Sequence, residues 1–379
     1  MQQLKVDFNR PVLTGNELKY IQEAIEGGHL SGDGPFTQRC NSLLEKVLGV
    51  PRALLTTSCT HALEMAAMLL EIQPGDEVIV PAFTFVSTVN AFVLRGAKPV
   101  FVDIRADTLN LDEARLDGAF SARTKAVVPV HYAGVGCEMD QIVAAAASRG
   151  VKIVEDNAHG LFGKYRDRFL GTLGSLAAQS FHETKNFTSG EGGALIINDP
   201  ELIERAEIIR EKGTDRSRFF RGQIDKYTWV DVGSSYLPSD LLAAFLLAQL
   251  EQREKVQHRR EQIWGLYEAG LGEWAAGHDV GMPYVPPHCE QTFHMFYLRM
   301  PTLESRQGLI HHLRERGIYA VFHYLPLHLS AMGQSFGGRV GDCPVTELVS
   351  DQLVRLPFHN ALSSADQELV IEAIQEFKF

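Results

Sequence analysis

Cysteine is scarce in this chain: there are five among 379 residues, and no two of them stand in a CxxC spacing. An odd, scattered set of this kind indicates neither a disulfide framework nor a zinc site. Hydrophobic runs of membrane-spanning length are absent as well, since the best candidate, residues 62–70, contains Glu64. The first residues lack the apolar region of a signal peptide. We therefore expect a cytoplasmic protein that has no metal centre and no membrane partner.

An excess of positive charge is also missing. The net charge is -11, and acidic and basic residues are mixed along the chain, which argues against a nucleic-acid partner. Hydrophobic residues make up 45% and charged residues 22% of the chain, as is usual for a globular protein. A chain of 379 residues is long enough for two domains. We expect a large domain over residues 1–250 and a small C-terminal domain over residues 251–379.

What the sequence does contain is an alternation of short β-rich runs with helical stretches between about residues 51 and 198. This alternation predicts an α/β fold with a mostly parallel sheet covered by helices. A long helical stretch over residues 239–271 leads to a C-terminal part whose pattern predicts a smaller α+β domain. The predicted strands of the large sheet are residues 53–57, 77–80, 100–103, 126–130, 151–155, 177–181 and 194–197.

The candidate chemistry lies just past two of these strands. Asp156 follows one strand and Lys185 follows the next. Because ligands of such sheets collect at the carboxyl ends of the strands, the two side chains are expected to converge. Pyridoxal phosphate (PLP) needs an amine for its aldehyde and an anion for its ring nitrogen, which Lys185 and Asp156 can supply. Taken singly, Lys185 could be a surface lysine and Asp156 a turn residue. The three glycines within residues 190–193 weaken the interpretation of Lys185 as a surface residue, because they favour a backbone that passes close to another group.

PLP also needs donors for its phosphate, and the strand-to-helix junction at residues 57–63 can provide them. Amide groups at a helix N-terminus form an anion site, to which Ser58 or Thr60 adds a hydroxyl. The same residue types also favour plain helix caps, so both interpretations hold at this stage. Ser180 is a further hydroxyl candidate.

Several aromatic positions have a functional and a structural interpretation. Phe85 can stack on a pyridine ring or belong to the core. His159 can reach the phenolic oxygen of the cofactor or be a core histidine. His323, Tyr324 and His328 lie in one dense run that suits a nucleotide or a sugar, and equally suits a partly exposed strand.

Together these motifs resemble the sugar-nucleotide aminotransferases of the DegT/DnrJ/EryC1/StrS family over nearly the whole chain. The resemblance implies a fold-type I PLP-dependent transferase (aspartate aminotransferase-like) and a homodimer with active sites at the subunit interface. Within the family the likeness is greatest to enzymes that aminate C4 of a sugar nucleotide. It therefore implies L-glutamate as amino donor and a dTDP-4-keto-6-deoxyhexose as acceptor. The segments that carry the resemblance are residues 58–60, 84–85, 155–156, 180–193, 323–328 and 356–359.

By this resemblance Lys185, Asp156 and His159 carry the catalysis, and the segment at residues 226–236 reaches into the partner's site. The expected cofactor-binding residues are Ser58, Cys59, Thr60, Phe85, Asp156, His159, Ser180, Lys185 and Ser235. The expected substrate-binding residues are Lys226, Tyr227, Tyr236, His323, Tyr324 and His328.

Two positions depart from the family pattern. Cys59 stands where much of the family has Gly, but its backbone N–H is kept, so phosphate binding should persist. Ser235 and Leu237 stand where the wider family has Asn and Arg, and the serine hydroxyl can still bond a phosphate.

Three other functions stay open at this point. One is an aminotransferase for another keto sugar nucleotide, with the ketone at C3 or with UDP. Another is a PLP-dependent sugar dehydratase, although related dehydratases replace the lysine with histidine and this chain has Lys185. The last is a non-catalytic regulator that binds a sugar nucleotide, which would have no need for the pair of Lys185 and Asp156.

Overall fold

The computed structural model describes residues 5–379, along which short strands and helices alternate. The strands are β1 Arg52–Thr56, β2 Glu77–Pro81, β3 Lys98–Val102, β4 Thr124–Val127, β5 Lys152–Asp156, β6 Lys164–Tyr165, β7 Arg168–Phe169, β8 Leu176–Ser180, β9 Gly193–Ile197, β10 Cys289–Glu290, β11 Tyr297–Arg299, β12 Val321–Phe322 and β13 Leu353–Arg355. The helices are α1 Glu17–Glu26, α2 Pro35–Leu48, α3 Cys59–Leu69, α4 Val86–Val93, α5 Leu116–Ala119, α6 Met139–Ala147, α7 Ile203–Arg210, α8 Arg216–Phe220, α9 Asp240–Glu251, α10 Arg253–Gly277, α11 Leu303–Glu315, α12 Ala331–Ser335, α13 Pro344–Gln352 and α14 Ser364–Gln375.

Seven of these strands form the central sheet, in the order β1-β9-β8-β5-β4-β2-β3. Strand β9 runs antiparallel to β1 and β8, and the remaining pairs are parallel. The carboxyl ends of the parallel strands therefore meet at one edge, where βα folds place their ligands. All seven predicted strands belong to this sheet, so the predicted α/β class with a mostly parallel sheet is confirmed.

Side chains alternate along each strand and build a core on each face of the sheet. Leu54 and Val154 pack with helices α3, α4 and α7 on one face. Leu55 faces the other way and packs with α1, α2 and α9. Ile153 packs with α6 on that same second face. The sheet is thus covered by helices on both faces.

Local sequence signals mark the ends of several helices. Helix α2 begins with Pro35, whose missing N–H is not needed at that position, and ends at Gly49 with a left-handed φ of 69°. Helix α11 begins with a capping box between Thr302 and Ser305. The predicted helical stretch at residues 239–271 is divided into α9 and α10, which meet at Gln252. No helix within residues 5–379 combines the length and apolar character that crossing a membrane requires.

A second core belongs mainly to the C-terminal part of the chain. Strands β11, β13 and β12 form an antiparallel sheet, and residues of α10, α11 and α14 pack with it. Val6 joins this core and pairs with Ile318, so residues near the start of the chain contribute to the C-terminal unit. The division into domains at residues 250 and 251 stays a prediction.

The amino-terminal segment connects this second core to the loop that carries Lys185. The carbonyl of Phe8 accepts a hydrogen bond of 3.1 Å from the amide of Phe358. The side chain of Asn9 donates to the carbonyl of Glu183 at 3.2 Å. Residues 6–9 therefore contact both units.

A buried carboxylate organises the end of β5. Glu155 accepts hydrogen bonds from the amides of Gly171, Leu173 and Gly174 at 2.6–2.7 Å. Its fourth partner is Nε2 of His131, at 2.8 Å. Because Nδ1 of that ring accepts from a backbone amide, at Cys137, the proton lies on Nε2 and is donated to the carboxylate. All the partners of Glu155 are donors, so the site is built for an ionised carboxylate.

We expect Glu155→Gln to lower the free energy of unfolding by roughly 3 kcal/mol, because the amide brings an N–H into a site that holds only donors. The midpoint of urea unfolding measures the change. The matched control is Glu290→Gln, which removes an exposed ion pair with Lys164 and should cost less than about 0.5 kcal/mol. Equal midpoints for the two variants would contradict this account of the β5 end.

Candidate active site

A cavity of about 620 Å³ opens at the carboxyl edge of the central sheet. Its inner wall comes from the ends of β5 and β8 and from the start of α3, and its outer wall comes from β12, β13 and the residues after β12. This volume suits a small-molecule ligand. Most of the predicted site residues line it: Ser58, Cys59, Thr60, Phe85, Asp156, His159, Ser180, Lys185, His323 and Tyr324.

Lys185 lies in the loop between β8 and β9. A turn fixes its backbone, because its amide donates to the carbonyl of His182 at 2.9 Å. Burial lowers the pKa of Lys185 to about 8, and the charge of Arg355 adds to this effect while Asp156 opposes it. An amine with this pKa is partly unprotonated near neutral pH and can act as a nucleophile or a base.

Asp156 is the last residue of β5 and is buried in the cavity wall. Its Oδ2 accepts a hydrogen bond of 2.7 Å from the hydroxyl of Thr88, which in turn is 2.8 Å from the hydroxyl of Thr84. Its Oδ1 accepts from the amide of Ala158 at 3.2 Å. These bonds hold the carboxylate in place as an anion for a cationic ring nitrogen.

The start of helix α3 forms an anion cradle. Ser58 caps the helix by accepting from the amide of His61 at 3.1 Å, so the hydroxyl proton of Ser58 stays available. Thr60 lies in the first turn, where amide groups have no partner within the helix, and its hydroxyl donates to Ser87 at 2.8 Å. Ser180 adds a hydroxyl from the end of β8. The amides and hydroxyls together suit a phosphate.

Gly193 explains part of the glycine-rich run after Lys185. A Cβ at this position would lie 2.3 Å from the carbonyl carbon of Ser58 and 2.4 Å from the amide nitrogen of Cys59. The close approach inferred from the three glycines is therefore made to the backbone of the cradle itself. Gly190 serves the turn instead, with a left-handed φ of 80°.

Two stacked histidines form one side of the cavity. The rings of His159 and His294 lie 4.2 Å apart at an interplanar angle of 17°. Burial lowers the pKa of each ring well below its usual value, so both are neutral at pH 7. Nδ1 of His159 is buried and has no hydrogen-bond partner among residues 5–379. A ligand oxygen could satisfy it, which fits the position expected for the cofactor's phenolic oxygen.

The outer wall is aromatic. Phe85 is 57% exposed at the cavity rim, 6.4 Å from the ring of Tyr324, so it is not a core residue. His323 is fixed by its Nδ1, which lies 2.9 Å from the hydroxyl of Tyr132. Sequence reasoning missed His294 and Arg355, which also line the cavity and come from the C-terminal third of the chain. Neither stands in a motif whose spacing indicates chemistry.

Two predicted substrate residues, Tyr236 and His328, do not line the cavity of this chain. His328 is fully buried, and its Nε2 is 2.9 Å from Glu347. Tyr236 is buried within its own chain, where its hydroxyl donates to Glu64 at 3.2 Å. Both rings pack against internal partners, and their assignment to the substrate stays a prediction.

Three further predicted residues lie on the surface, away from the cavity of their own chain. These are Lys226, Tyr227 and Ser235. Their exposed positions keep open a contact with a second subunit, which one chain cannot display.

The family model for the DegT/DnrJ/EryC1/StrS aminotransferase family matches residues 11–375. The chain belongs to this family. The site therefore serves a PLP-dependent aminotransferase, as the resemblance predicted. The amine, the anion and the cradle that PLP needs are all present in one cavity, and the unpaired Nδ1 of His159 adds a fourth matching feature.

Similar proteins share the fold over almost their full length. The spore coat polysaccharide biosynthesis protein SpsC of Bacillus subtilis (strain 168) is 33% identical over 377 residues, which cover 97% of this chain and 96% of SpsC. Spr1654 of Streptococcus pneumoniae in its PMP form, a proposed sugar aminotransferase, is 28% identical with a TM-score of 0.91 and 98% coverage of both chains. DesV of S. venezuelae is 30% identical with a TM-score of 0.88, over 99% of this chain and 98% of DesV.

The pKa of Lys185 predicts how fast the cofactor-free aminotransferase takes up PLP at different pH values. Only the unprotonated amine can attack the aldehyde, so the rate should rise with pH and level off above a midpoint of about 8. Stopped-flow absorbance after mixing with PLP measures this rate. Lys185→Ala, which lacks the amine, is the control and should show no such absorbance change. A profile that keeps rising towards pH 10.5, the ordinary value for lysine, would contradict the burial argument.

Gly193→Ala tests the cradle. Because the added methyl would push against the backbone of Ser58 and Cys59, we expect PLP to bind at least about 10-fold more weakly. Absorbance titration of the cofactor-free aminotransferase gives the dissociation constant. Gly272→Ala in helix α10 is the control, since its Cβ would lie within 4 Å of no atom of the described part of the chain. Unchanged affinity in Gly193→Ala would show that the cradle does not hold the phosphate.

Proposed function

We propose that this aminotransferase moves the amino group of L-glutamate to C4 of a dTDP-4-keto-6-deoxyhexose and releases a dTDP-4-amino-4,6-dideoxyhexose. The observation that carries the proposal is the meeting of Lys185, Asp156 and the N-terminus of α3 in one cavity. The names of SpsC and Spr1654, a polysaccharide biosynthesis protein and a proposed sugar aminotransferase, support a sugar as acceptor.

The residues of the chain have distinct tasks in this reaction. When bound, PLP supplies an aldehyde that takes up amino groups and a pyridine ring that withdraws electrons. Asp156 offers its fixed carboxylate to the ring nitrogen, and the cradle at α3 holds the phosphate. Lys185 holds the cofactor at rest, and its free amine can then carry a proton from the Cα of the donor. With a pKa of about 8, that amine can both accept and return a proton near neutral pH.

The three neutral histidines of the cavity do not donate competing protons in this transfer. Burial lowers the pKa of His159, His294 and His323, so none of the three rings is a competing acid at pH 7. His159 is placed to bond a ligand oxygen as a neutral donor or acceptor. Proton transfer is therefore left to Lys185.

The aromatic rim suits a sugar nucleotide. Phe85, Phe322 and Tyr324 line the mouth of the cavity, and rings of this kind pack against the apolar face of a sugar or stack on a base. The two phenylalanines are 57% and 48% exposed, so they are accessible to a large substrate.

We further propose that the active enzyme is a homodimer. The segment after α8 exposes large apolar side chains, among them Tyr227, Trp229 and Val232, and Trp229 is 78% exposed. Exposed aromatic clusters of this kind are typical of protein interfaces. If a second copy covers this segment, Lys226, Tyr227 and Ser235 of the first chain lie close to the cavity of the second chain.

The test is one reaction with purified protein, PLP, L-glutamate and dTDP-4-keto-6-deoxyglucose, and the product is read by proton NMR. We expect an amino sugar, and its H3–H4 coupling reports the configuration: a small coupling means an axial amine (galacto) and a large one an equatorial amine (gluco). Lys185→Ala is the control; it should keep the fold and lose turnover, and wild-type turnover in it would contradict the assignment.

Each negative outcome of this experiment points to a different part of the proposal. If glutamate converts the cofactor but no amino sugar forms, the acceptor is wrong, and UDP-linked or 3-keto sugars become the candidates. If glutamate does not convert the cofactor, the proposed donor is wrong. If PLP itself does not bind, the result favours a non-catalytic regulator that binds a sugar nucleotide.

A further inference from the structure

Two buried hydroxyls form a row that ends at the carboxylate of Asp156. Thr88 lies in the first turn of α4, and Thr84 lies in the loop ahead of that helix. The two hydroxyls are 2.8 Å apart, and that of Thr88 is 2.7 Å from Oδ2 of Asp156. Thr88 has no exposed surface, so it acts on a ligand in the cavity only through Asp156.

The carboxylate fixes the direction of the hydrogen bonds in this row. An ionised carboxylate only accepts, so the Thr88 hydroxyl donates its single proton to Oδ2 of Asp156. The oxygen of Thr88 then accepts from Thr84, which turns the proton of Thr84 along the same row. Because hydrogen-bonded hydroxyls polarise one another in a low-dielectric interior, Thr84 strengthens the bond that Thr88 donates.

Each oxygen of Asp156 therefore has one donor from the chain. Oδ2 accepts from Thr88, and Oδ1 accepts from the amide of Ala158 at 3.2 Å. The hydroxyl bond is the shorter of the two and has the length of a strong charge-assisted bond. Donors to a carboxylate stabilise its ionised form over its protonated form. An ionised oxygen accepts about two hydrogen bonds, so Asp156 keeps acceptor capacity for a ligand.

Two other buried aspartates have the same kind of threonine partner but a different environment. Thr37 donates to Asp240, and Thr346 donates to Asp103, both at 2.8 Å. Each of these carboxylates also accepts two amides at the start of a helix, α2 and α13 respectively. Both are helix caps whose oxygens are used within the chain. Asp156 instead combines its threonine with a place in the cavity wall.

We propose that Thr88, supported by Thr84, keeps a proton on the ring nitrogen of the cofactor by holding Asp156 as an anion. A ring nitrogen and a carboxylate that face each other share one proton, which lies on the better proton acceptor of the two. The hydroxyl of Thr88 makes the carboxylate the poorer acceptor, so the proton stays on the nitrogen. A protonated ring withdraws electrons more strongly.

Thr88 is thus a positioning residue that acts through Asp156. The inference rests on the proposed function only in placing the ring nitrogen of PLP at Asp156. It is independent of the amino donor and of the keto sugar.

Nitrogen NMR tests the proposal on the enzyme loaded with PLP that is isotopically labelled at the ring nitrogen. The wild type should show the resonance of a protonated ring nitrogen. Thr88→Val removes the hydroxyl and keeps the shape of the side chain, so the resonance should move towards that of unprotonated pyridine. Thr88→Ser keeps a hydroxyl and should restore the position found in the wild type.

Thr346→Val is the matched control. It removes a buried hydroxyl from Asp103, so it should lower the midpoint of urea unfolding about as much as Thr88→Val does, while the nitrogen resonance stays in place. Asp156→Asn is the reference for a lost anion and should show an unprotonated ring nitrogen. If Thr88→Val does not fold, Thr84→Val takes its place and should give a smaller shift in the same direction.

The first half-reaction gives a second measurement. Loss of a hydrogen bond to a charged group predicts that L-glutamate converts the bound cofactor roughly 10- to 100-fold more slowly in Thr88→Val. Stopped-flow absorbance measures this rate. Thr346→Val should react at the rate of the wild type.

An unmoved resonance in Thr88→Val would overturn the proposal, and so would an unprotonated ring nitrogen in the wild type. An equal shift in Thr346→Val would also overturn it, by assigning the effect to lost stability. An unmoved resonance in Asp156→Asn would reject the proposed place of the ring nitrogen and this inference with it. Failure of glutamate or of the keto sugar to react would affect the proposed substrates alone, since the NMR sample contains neither.

Discussion

The active site depends on two adjacent carboxylates that leave β5 on opposite faces. Strand side chains alternate, so Glu155 points into the protein while Asp156 points into the cavity. Glu155 collects three backbone amides and one imidazole, and this holds the strand end in place. Asp156 then occupies a fixed position with few internal partners of its own. A shift of one residue in the register of β5 would exchange the two roles and destroy both.

Desolvation sets the protonation of the cavity more than any single ion pair does. The same burial that lowers the pKa of the Lys185 amine also keeps the three neighbouring histidines neutral. Arg355 stays charged under these conditions because guanidinium groups are too basic to lose their proton in proteins. The cavity thus holds one adjustable cation and one permanent cation, on opposite walls.

Sequence patterns predicted the parts of this protein that local physics decides. Each strand of the central sheet is a short β-rich run, and Lys185 and Asp156 follow such runs directly, so topology alone brought them together. The internal packing of Tyr236 and His328 was not predictable from sequence, because a motif does not show which way a ring faces. Arg355 and His294 escaped notice because their position depends on the packing of the C-terminal unit against the large sheet, a long-range fact. The position of Phe85 at the rim depends on the same packing of the C-terminal unit against the large sheet.

The amino-terminal segment has a consequence for how far the cavity can widen. Val6 is paired in the second core, Phe8 lies over Arg355, and Asn9 is bonded to the Lys185 loop. The start of the segment, at Lys5 and Val6, lies beside Ile318 and helix α14, so the segment runs from there to the reactive centre. The segment connects the two walls of the cavity, so any motion that widens the cavity has to stretch the segment.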